Sequence, residues 1–424
     1  MGWWFGMKLW QRVLIALVLG VVFGLGLSQI MGQDAATQFL DQRVRWIGDL
    51  FIRLIRMLIV PLIFTTLVSG VIAMGNPAKL GSLGVKALLL YFTTTIFANI
   101  IGLVFGTIFQ PGRGADLAGV DAVPVATEAP SLTERLLAII PTNPVAALAD
   151  GNVLAIIFFS VLLGVSILAT REEGKPLGTL FNSASDVVLK MTHYVMEVAP
   201  FGIFALVSYT AASQGLEALQ SILTLIVAVY LGLLAHLLIT YGFLVRVVLG
   251  LPFFRFLRGL TDPIAVAYST ASSSATLPVT IAAASDNLGV KKSVAGSILP
   301  LGATINMDGT ALYLGILALF TAQAFGYDLT LANYVLIAFT AAVVSIGAAG
   351  IPSASLFLLA IVLETFGVTP EHTAIIVGFI LPVDRIMDMA RTAVNVTGDA
   401  AVATAVAKWE GELDEECFRE PAKV

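Results

Sequence analysis

The sequence predicts an all-α polytopic membrane protein with eight transmembrane helices and two re-entrant helical hairpins. Three observations predict it. Of 424 residues, 58% are hydrophobic and 12% charged, with a mean hydropathy of +0.93, whereas a soluble chain of this length needs far more charge to cover its surface. Eight apolar segments are long enough to cross a bilayer core, which takes about 20 helical residues. Two further apolar stretches are interrupted at their centres by Gly, Ser and Pro.

The eight segments are 8–30, 46–74, 84–110, 152–170, 181–212, 217–249, 293–325 and 371–407. Lys8 and Arg12 ahead of "VLIALVLGVVFGLGL" resemble a secretion signal, but no small-residue cleavage site follows, so a first span is expected. Connections at 75–86, 171–180 and 250–262 carry Lys79, Lys86, Arg171, Lys175, Arg255 and Arg258, while 111–135 and 326–330 are acidic or nearly uncharged. That bias places both termini in the cytoplasm. The Pro- and Ala-rich "PTNPVAALADGN" at 141–152 is expected at the interface rather than across it.

Residues 263–288 contain a serine triplet and Pro278, and residues 331–366 contain "SIGAAGIPSAS". A span with unpaired backbone groups is tolerated only inside protein or along water. Both stretches therefore read as hairpins whose tips stop within the membrane, the alternative being kinked ordinary spans. Each precedes a long helix with polar residues, so hairpin and helix form an internal repeat that points to a transport site.

The last apolar helix carries most of the charge. At about 100° per residue, Asp384, Asp388, Arg391, Thr392, Asn395 and Asp399 share an arc of about 100°, with Arg385 at its margin. Such a stripe must face a protein interior or cavity, and ionisable groups in a span are functional candidates. An Asp388–Arg391 ion pair joining helices is the structural alternative; three acids against one base leave surplus negative charge that small cations would meet. In "GATINMDGTALY", Thr304 and Asp308 share a helical face that Asn306 and Thr310 oppose, a conflict resolved by an unwound turn at Asn306–Gly309 or by a simple Gly kink. An unwound turn frees carbonyls that suit hard cations. "STASSSATLP" fits a half-helix N-terminus that could hold a carboxylate, or plain turn chemistry. "YFTTT" places Tyr91, Thr94 and Thr95 on one side of a helix.

Other classes find little support. A net charge of −5 without a long basic run gives no nucleic-acid signal, and a single cysteine, Cys417, gives no disulfide framework. His193, His236 and His372 have no metal spacing and read as core or interface residues. Ser272, Ser273 and Ser274 lack a neighbouring base, which argues against a hydrolase. A channel would want a continuous pore rather than a stripe of paired charges.

"SSSATLPVT", "PLGATINMDGTALY", "SIGAAGIPSAS" and "DMARTAVNVTGD", in that order, together with "RMLIVPLIF" and "PTNP", resemble the dicarboxylate/amino acid:cation symporter family, in its prokaryotic branch. The resemblance covers nearly the whole chain. It implies inverted repeats, an elevator-type transporter fold, and a homotrimer in a bacterial inner membrane. Residues 1–83 and 111–216 would form a static scaffold. Residues 84–110 and 217–409 would form the moving transport domain, with hairpins at 256–288 and 331–367 and helices at 293–325 and 371–409. Residues 410–424 would be a cytoplasmic tail.

For the site, the resemblance implies that Arg391 holds a substrate side-chain carboxylate, Asp388 its ammonium with Thr392 beside it, and Asn395 and Ser273 its main-chain carboxylate. Thr310, Ser272, Ile351 and Ser355 would line the site. It implies three Na⁺ positions and no organic cofactor. Asp399 would act with carbonyls of Gly302, Asn306 and Asn395, Thr304 with carbonyls of Ser345, Ile346 and Ala348, and Tyr91, Thr94, Thr95 and Asn306 with Asp308. Arg391, Asp388 and Asp399 together imply an acidic amino acid, aspartate or glutamate, moved with sodium; proton coupling and C4-dicarboxylates are the rivals. The chain departs from the family in four places. Ala271 and Met389 stand where a second arginine is usual, with Arg385 one turn away. Leu314 replaces a glutamate tied to proton and potassium movement, Ser355 a gate glycine, and Ala275 a glycine after the serines.

Overall fold

The fold is organised around one helix that has no outer face. In the computed structural model, which describes residues 6–7, 9–73, 77–115, 140–151, 153–345 and 354–420, the segment Asp308–Phe325 is buried at every position except Gln323. An apolar helix without a polar side belongs in the centre of a large protein.

The described residues are almost entirely helical: α1 (Leu9–Met31), α2 (Gln33–Arg43), α3 (Arg45–Ala73), α4 (Pro77–Phe109), α5 (Pro144–Asp150), α6 (Val153–Ala169), α7 (Lys175–Glu197) and α8 (Ala199–His236). Two π-helical segments, Leu237–Tyr241 and Leu244–Val248, extend α8. Then follow α9 (Phe253–Gly259), α10 (Thr261–Thr270), α11 (Ser273–Asp286), α12 (Lys292–Ile305), α13 (Asp308–Phe325), α14 (Leu331–Ser345), α15 (Ala354–Glu364), α16 (Pro370–Trp409) and α17 (Glu415–Arg419). Helix α1 packs on α8, and α3 packs on α6, α7 and α8. Helices α4, α8, α12 and α14 to α16 enclose α13 or the site beside it.

Helices occupy all eight expected segments, but not with the expected limits. Four described stretches, Gln11–Met31, Leu83–Phe109, Gln220–Val248 and Lys292–Phe325, are long and apolar enough to cross a membrane. Helix α6 has 17 residues, and the charged stripe makes α16 too polar to qualify by hydropathy despite its 40 residues. The boundary expected between 212 and 217 is absent, since α8 runs through it unbroken. The break falls instead at Val198, where the chain bends by 48° between α7 and α8; Pro200 lies in the first turn of α8, where its missing N–H costs nothing.

The first interrupted stretch is a hairpin. Helix α10 ends at Ala271, which adopts a left-handed conformation at φ 51°, and Ser272 caps α11 by accepting from Ala275 N–H. The two arms pack together. Helices α14 and α15 also pack together, and their connection, residues 346–353, lies outside the described residues. The expected unwound turn is present: α12 stops at Ile305, Asn306 and Met307 are non-helical, and α13 starts at Asp308. The "PTNP" segment forms α5, capped by the Asn143 side chain.

The chain after α16 is more than a tail. Asp414 N–H donates to Gly289 O at 2.8 Å and Lys291 N–H to Glu412 O at 3.1 Å, so the segment docks on the base of the first hairpin. Phe418 is fully buried beneath Arg255, and Lys86–Glu410 and Lys408–Glu415 pairs of 2.7 Å flank it. The Lys408 hydrogen bond holds the Glu415 carboxyl below its ordinary range, so its contribution is present at neutral pH and is lost on acidification through that lowered value. Phe418→Ala should release the segment, at a cost of up to about 3 kcal/mol locally. Limited proteolysis should then cut within 410–420 in the variant and spare the parent.

Candidate functional site

Helix α16 turns its polar stripe against α13 and the first hairpin. Arg391 is 1% exposed, and its Nη2 donates to Asp388 Oδ1 at 2.7 Å. Its Nη1 lies 3.2 Å from Asp384 Oδ1 without the alignment of a hydrogen bond. The guanidinium stacks over the Tyr313 ring at 3.9 Å, and the Tyr313 hydroxyl donates to the same Asp384 oxygen at 2.8 Å. Arg391 Nε and Nη1 have no acceptor among the described residues. A buried guanidinium with N–H groups to spare is a ready receptor for a planar carboxylate.

The other residues expected at this site lie as follows. Thr392 and Thr310 are buried, and Thr392 Oγ1 donates to Asp388 O at 2.9 Å. Ser273 is buried in the first turn of α11, and Ser272 caps that helix. Ser355 is buried with its Oγ unpartnered among the described residues, and Ile351 lies outside them. Arg385 Nη2 donates to Thr270 O at the hairpin tip at 3.0 Å, and its Nη1 is 4.0 Å from Asp388 Oδ2.

Asn395, one turn beyond Arg391, joins this region to a second. Its Oδ1 accepts from Gly309 N–H at 2.7 Å, and its carbonyl accepts from Asn306 Nδ2 at 3.3 Å. Asn306 Nδ2 also donates to Asp399 Oδ1 at 3.0 Å. Asp399, Asn306, Asn395 and Gly302 therefore converge on one place. A Cβ on Gly302 would lie 2.6 Å from both Asp399 Oδ1 and Tyr91 OH, so only glycine fits there.

Asp308 is fully buried. Its Oδ1 accepts from Thr95 Oγ1 at 2.6 Å and its Oδ2 from Tyr241 OH at 2.7 Å, with His236 Nε2 at 3.2 Å. Thr94 Oγ1 reaches Asn306 Oδ1 at 3.5 Å, and Tyr91 OH donates to Ile298 O. The "YFTTT" helix and the broken helix thus meet at Asp308. The remaining cation set is not assembled among the described residues: Thr304 donates to Leu301 O, Ser345 to Ala342 O, and Ile346 and Ala348 lie outside them.

Three partners escaped the sequence. His236 was expected to be a core histidine; it is buried, but it faces Asp308. His236 and Tyr241 lie about 140° apart on a regular helix. The π segment between them turns by i→i+5 and brings both rings to one side, 4.7 Å apart. Tyr313 lies inside the "GATINMDGTALY" motif, in which the expected site residues are Gly302, Thr304, Asn306, Asp308 and Thr310.

Gly302→Ala should push Asp399 and Tyr91 apart and destabilise the protein by about 1–3 kcal/mol. Gly26→Ala, with nothing within 4 Å of the added carbon, is the control. Thermal unfolding in detergent should separate the two by several degrees.

The chain resembles known proteins over nearly its whole length. Residues 9–409 match the sodium:dicarboxylate symporter family. A proton/sodium-glutamate symport protein of Bacillus subtilis (strain 168) is 38% identical over 408 residues, covering 94% of this chain and 92% of that protein. A proton/glutamate-aspartate symporter of Escherichia coli (strain K12) is 37% identical, covering 96% and 93% respectively. A C4-dicarboxylate transport protein of Azorhizobium caulinodans is 33% identical, covering 97% and 91%. With its buried charged stripe, broken helix and apolar exterior, this chain belongs to the sodium:dicarboxylate symporter family, a family of multi-pass membrane transporters rather than enzymes.

Proposed function

We propose that the protein couples uptake of an acidic amino acid, aspartate or glutamate, to entry of sodium. One observation carries this reading: the charges of the buried site balance around Arg391 and do not balance below it. Arg391 and Arg385 stand beside Asp384 and Asp388, two cations against two anions. Asp308 and Asp399 have no arginine or lysine partner among the described residues. Buried ionised carboxylates without counter-charge cost several kcal/mol each. Carbonyl, amide and hydroxyl oxygens already surround these two, a donor set suited to a hard cation.

In this reading the substrate replaces the internal ion pair. Its side-chain carboxylate takes the Arg391 donors, and its ammonium takes the Asp388 oxygens that Arg391 releases. Its main-chain carboxylate meets Asn395 and Ser273. Sodium at Asp399 and Asp308 removes the need for Asn306 and Tyr241 to satisfy those acids alone, and Thr304 with the 345–348 carbonyls completes a third position. The second hairpin then closes over a loaded site. The packing of α1, α3, α6 and α7 apart from α13 and the hairpins supports a division into scaffold and elevator-like transport domain. Eight spans, cytoplasmic termini and a trimer in the inner membrane complete the proposal.

Proton coupling is the second reading. The fully buried His236 against Asp308 favours it, since a histidine at a cation position offers a proton in place of an ion. The glutamate-aspartate symporter named above is itself described as proton-coupled.

Purified protein in liposomes should accumulate labelled L-aspartate under an inward sodium gradient without a pH gradient. Uptake under an inward proton gradient without sodium would replace the sodium reading. Arg391→Cys should lower aspartate uptake by at least about a hundredfold, the scale of a lost buried charge pair, and undiminished uptake would remove Arg391 from the site. Asp399→Asn should raise the sodium concentration for half-maximal uptake by about tenfold or more while expression holds.

A further inference from the structure

The apolar stretch Gln220–Val248 ends in a fold-back. Its last turn is π-helical, and beyond it Leu249 N–H donates to Leu244 O and Leu251 N–H to Val245 O, each at 2.9 Å. Gly250, left-handed at φ 66°, lets the chain reverse there. Between the end of the helix and residues 252–254 runs a groove of about 720 Å³. Sites for small molecules span roughly 300–1,000 Å³.

Ile239, Phe243 and Val247, at steps of four, line the groove from the helix, and Pro252 and Phe254 line it from the returning chain. Phe243, Val247 and Phe254 are 58%, 64% and 74% exposed, so the groove opens to the outside of the protein. Position 242 keeps it clear. A Cβ on Gly242 would touch the Phe253 ring at 3.9 Å, and a longer side chain would fill the space.

Arg246, in the last helical turn, is the only charged residue lining the groove. It is exposed and makes no hydrogen bond or ion pair among the described residues. Arg255, by contrast, donates to Glu420 O and Asn287 O. Water would satisfy this guanidinium, and lipid tails in general would cover these phenylalanines. One molecule does both when it carries an anionic head on an apolar chain. A guanidinium takes a phosphate through parallel N–H donors, and basic pockets beside spans hold anionic headgroups.

We propose that this groove is a binding site for an anionic phospholipid, with the phosphate on Arg246 and an acyl chain along Phe243, Val247 and Phe254. The inference rests on the membrane placement that the family gives, and on neither the substrate nor the coupling ion.

The test equilibrates the full chain in detergent with equal amounts of phosphatidylglycerol and phosphatidylcholine of identical acyl chains, and counts retained lipids by native mass spectrometry. The parent should retain phosphatidylglycerol in preference. Arg246→Gln should lower that preference by about fivefold, the scale of one arginine facing an anionic headgroup, and Arg246→Lys should recover part of it. Arg258→Gln, at an exposed arginine outside the groove, should leave it unchanged. Gly242→Leu should reduce retention of both lipids by filling the groove, and excess glycerol phosphate, which has no acyl chain, should displace neither. Equal retention of the two lipids by the parent means ordinary boundary lipid and overturns the proposal. Equal losses in Arg246→Gln and Arg258→Gln mean general surface charge and overturn it too. Undiminished retention in Gly242→Leu, or displacement by glycerol phosphate, removes the acyl chain from the groove and overturns the site as drawn.

Discussion

The structure depends on keeping one guanidinium charged in the middle of an apolar protein. Arg391 is almost fully buried, on a helix whose other faces are largely Val, Ala and Met. Two carboxylates and an aromatic face replace the water it has lost. Each replacement constrains a further element. Asp384 and Asp388 fix the rotation of α16, because only one face of that helix can present all three groups. Tyr313 fixes the register of α13 against it, since its ring must lie under the guanidinium while its hydroxyl reaches Asp384. The first hairpin is held at the same place by Arg385 on the Thr270 carbonyl. These contacts do not make the region stable by themselves. Buried ion pairs are often no better than apolar packing of equal volume, and their value lies in specifying one arrangement.

The second constraint is the break between α12 and α13. An unwound turn leaves backbone donors and acceptors exposed in a buried place, and every one needs a partner. Within the turn Asn306 N–H donates to Gly302 O and Met307 N–H to Ile305 O, Gly309 N–H just past it is taken by Asn395 Oδ1, and the Asn306 side chain donates in turn to Asn395 O on α16. Close approach makes this possible, because a Cβ on Gly309 would meet Arg391 O at 2.7 Å. The glycines of the "GATINMDGT" motif are thus placed by backbone proximity to α16, with Gly302 against Asp399 and Gly309 against Arg391.

Much of this was legible in residue order. Periodicity alone put Asp384, Asp388, Arg391, Asn395 and Asp399 on one buried face, because a regular helix has a known turn and charge in an apolar chain must be hidden. The opposed faces of Asp308 and Asn306 located the break, expected over Asn306–Gly309 and found at Asn306 and Met307, and the serine triplet located the first hairpin tip. What escaped follows from irregular geometry or from distance in sequence. A π turn cannot be seen in a 100° periodicity, so His236 and Tyr241 were not brought to Asp308. The break before α8 was misplaced because α8 is apolar on both sides of residue 213, and hydropathy does not resolve a bend from a loop. The docking of 410–420 escaped because its acids and Arg419 read as a polar tail, while their partners Lys86, Arg255 and Gly289 lie at least 120 residues away.

The spacing of Arg391, Asn395 and Asp399 gives a physical account of how cation and substrate could be linked under the proposed function. The three residues are successive i, i+4 neighbours on one face of α16, and Asn395 touches both sides of the break in the facing helix. In the present structure Asn306 Nδ2 donates to Asp399 and Asn395 together, as a neutral donor bridging two oxygens. A cation seated between those oxygens would displace the amide and tighten the turn at Asn306 and Met307. Tightening that turn would fix Asn395 through its bond to Gly309 N–H, and Asn395 is the group placed to meet the substrate carboxylate one turn away. Each ligand would then lower the ordering cost of the other without touching it. Thermodynamic reciprocity requires that sodium raise substrate affinity by the same factor as substrate raises sodium affinity. Coupling of that kind needs no long pathway, only two sites sharing one asparagine and one unwound turn.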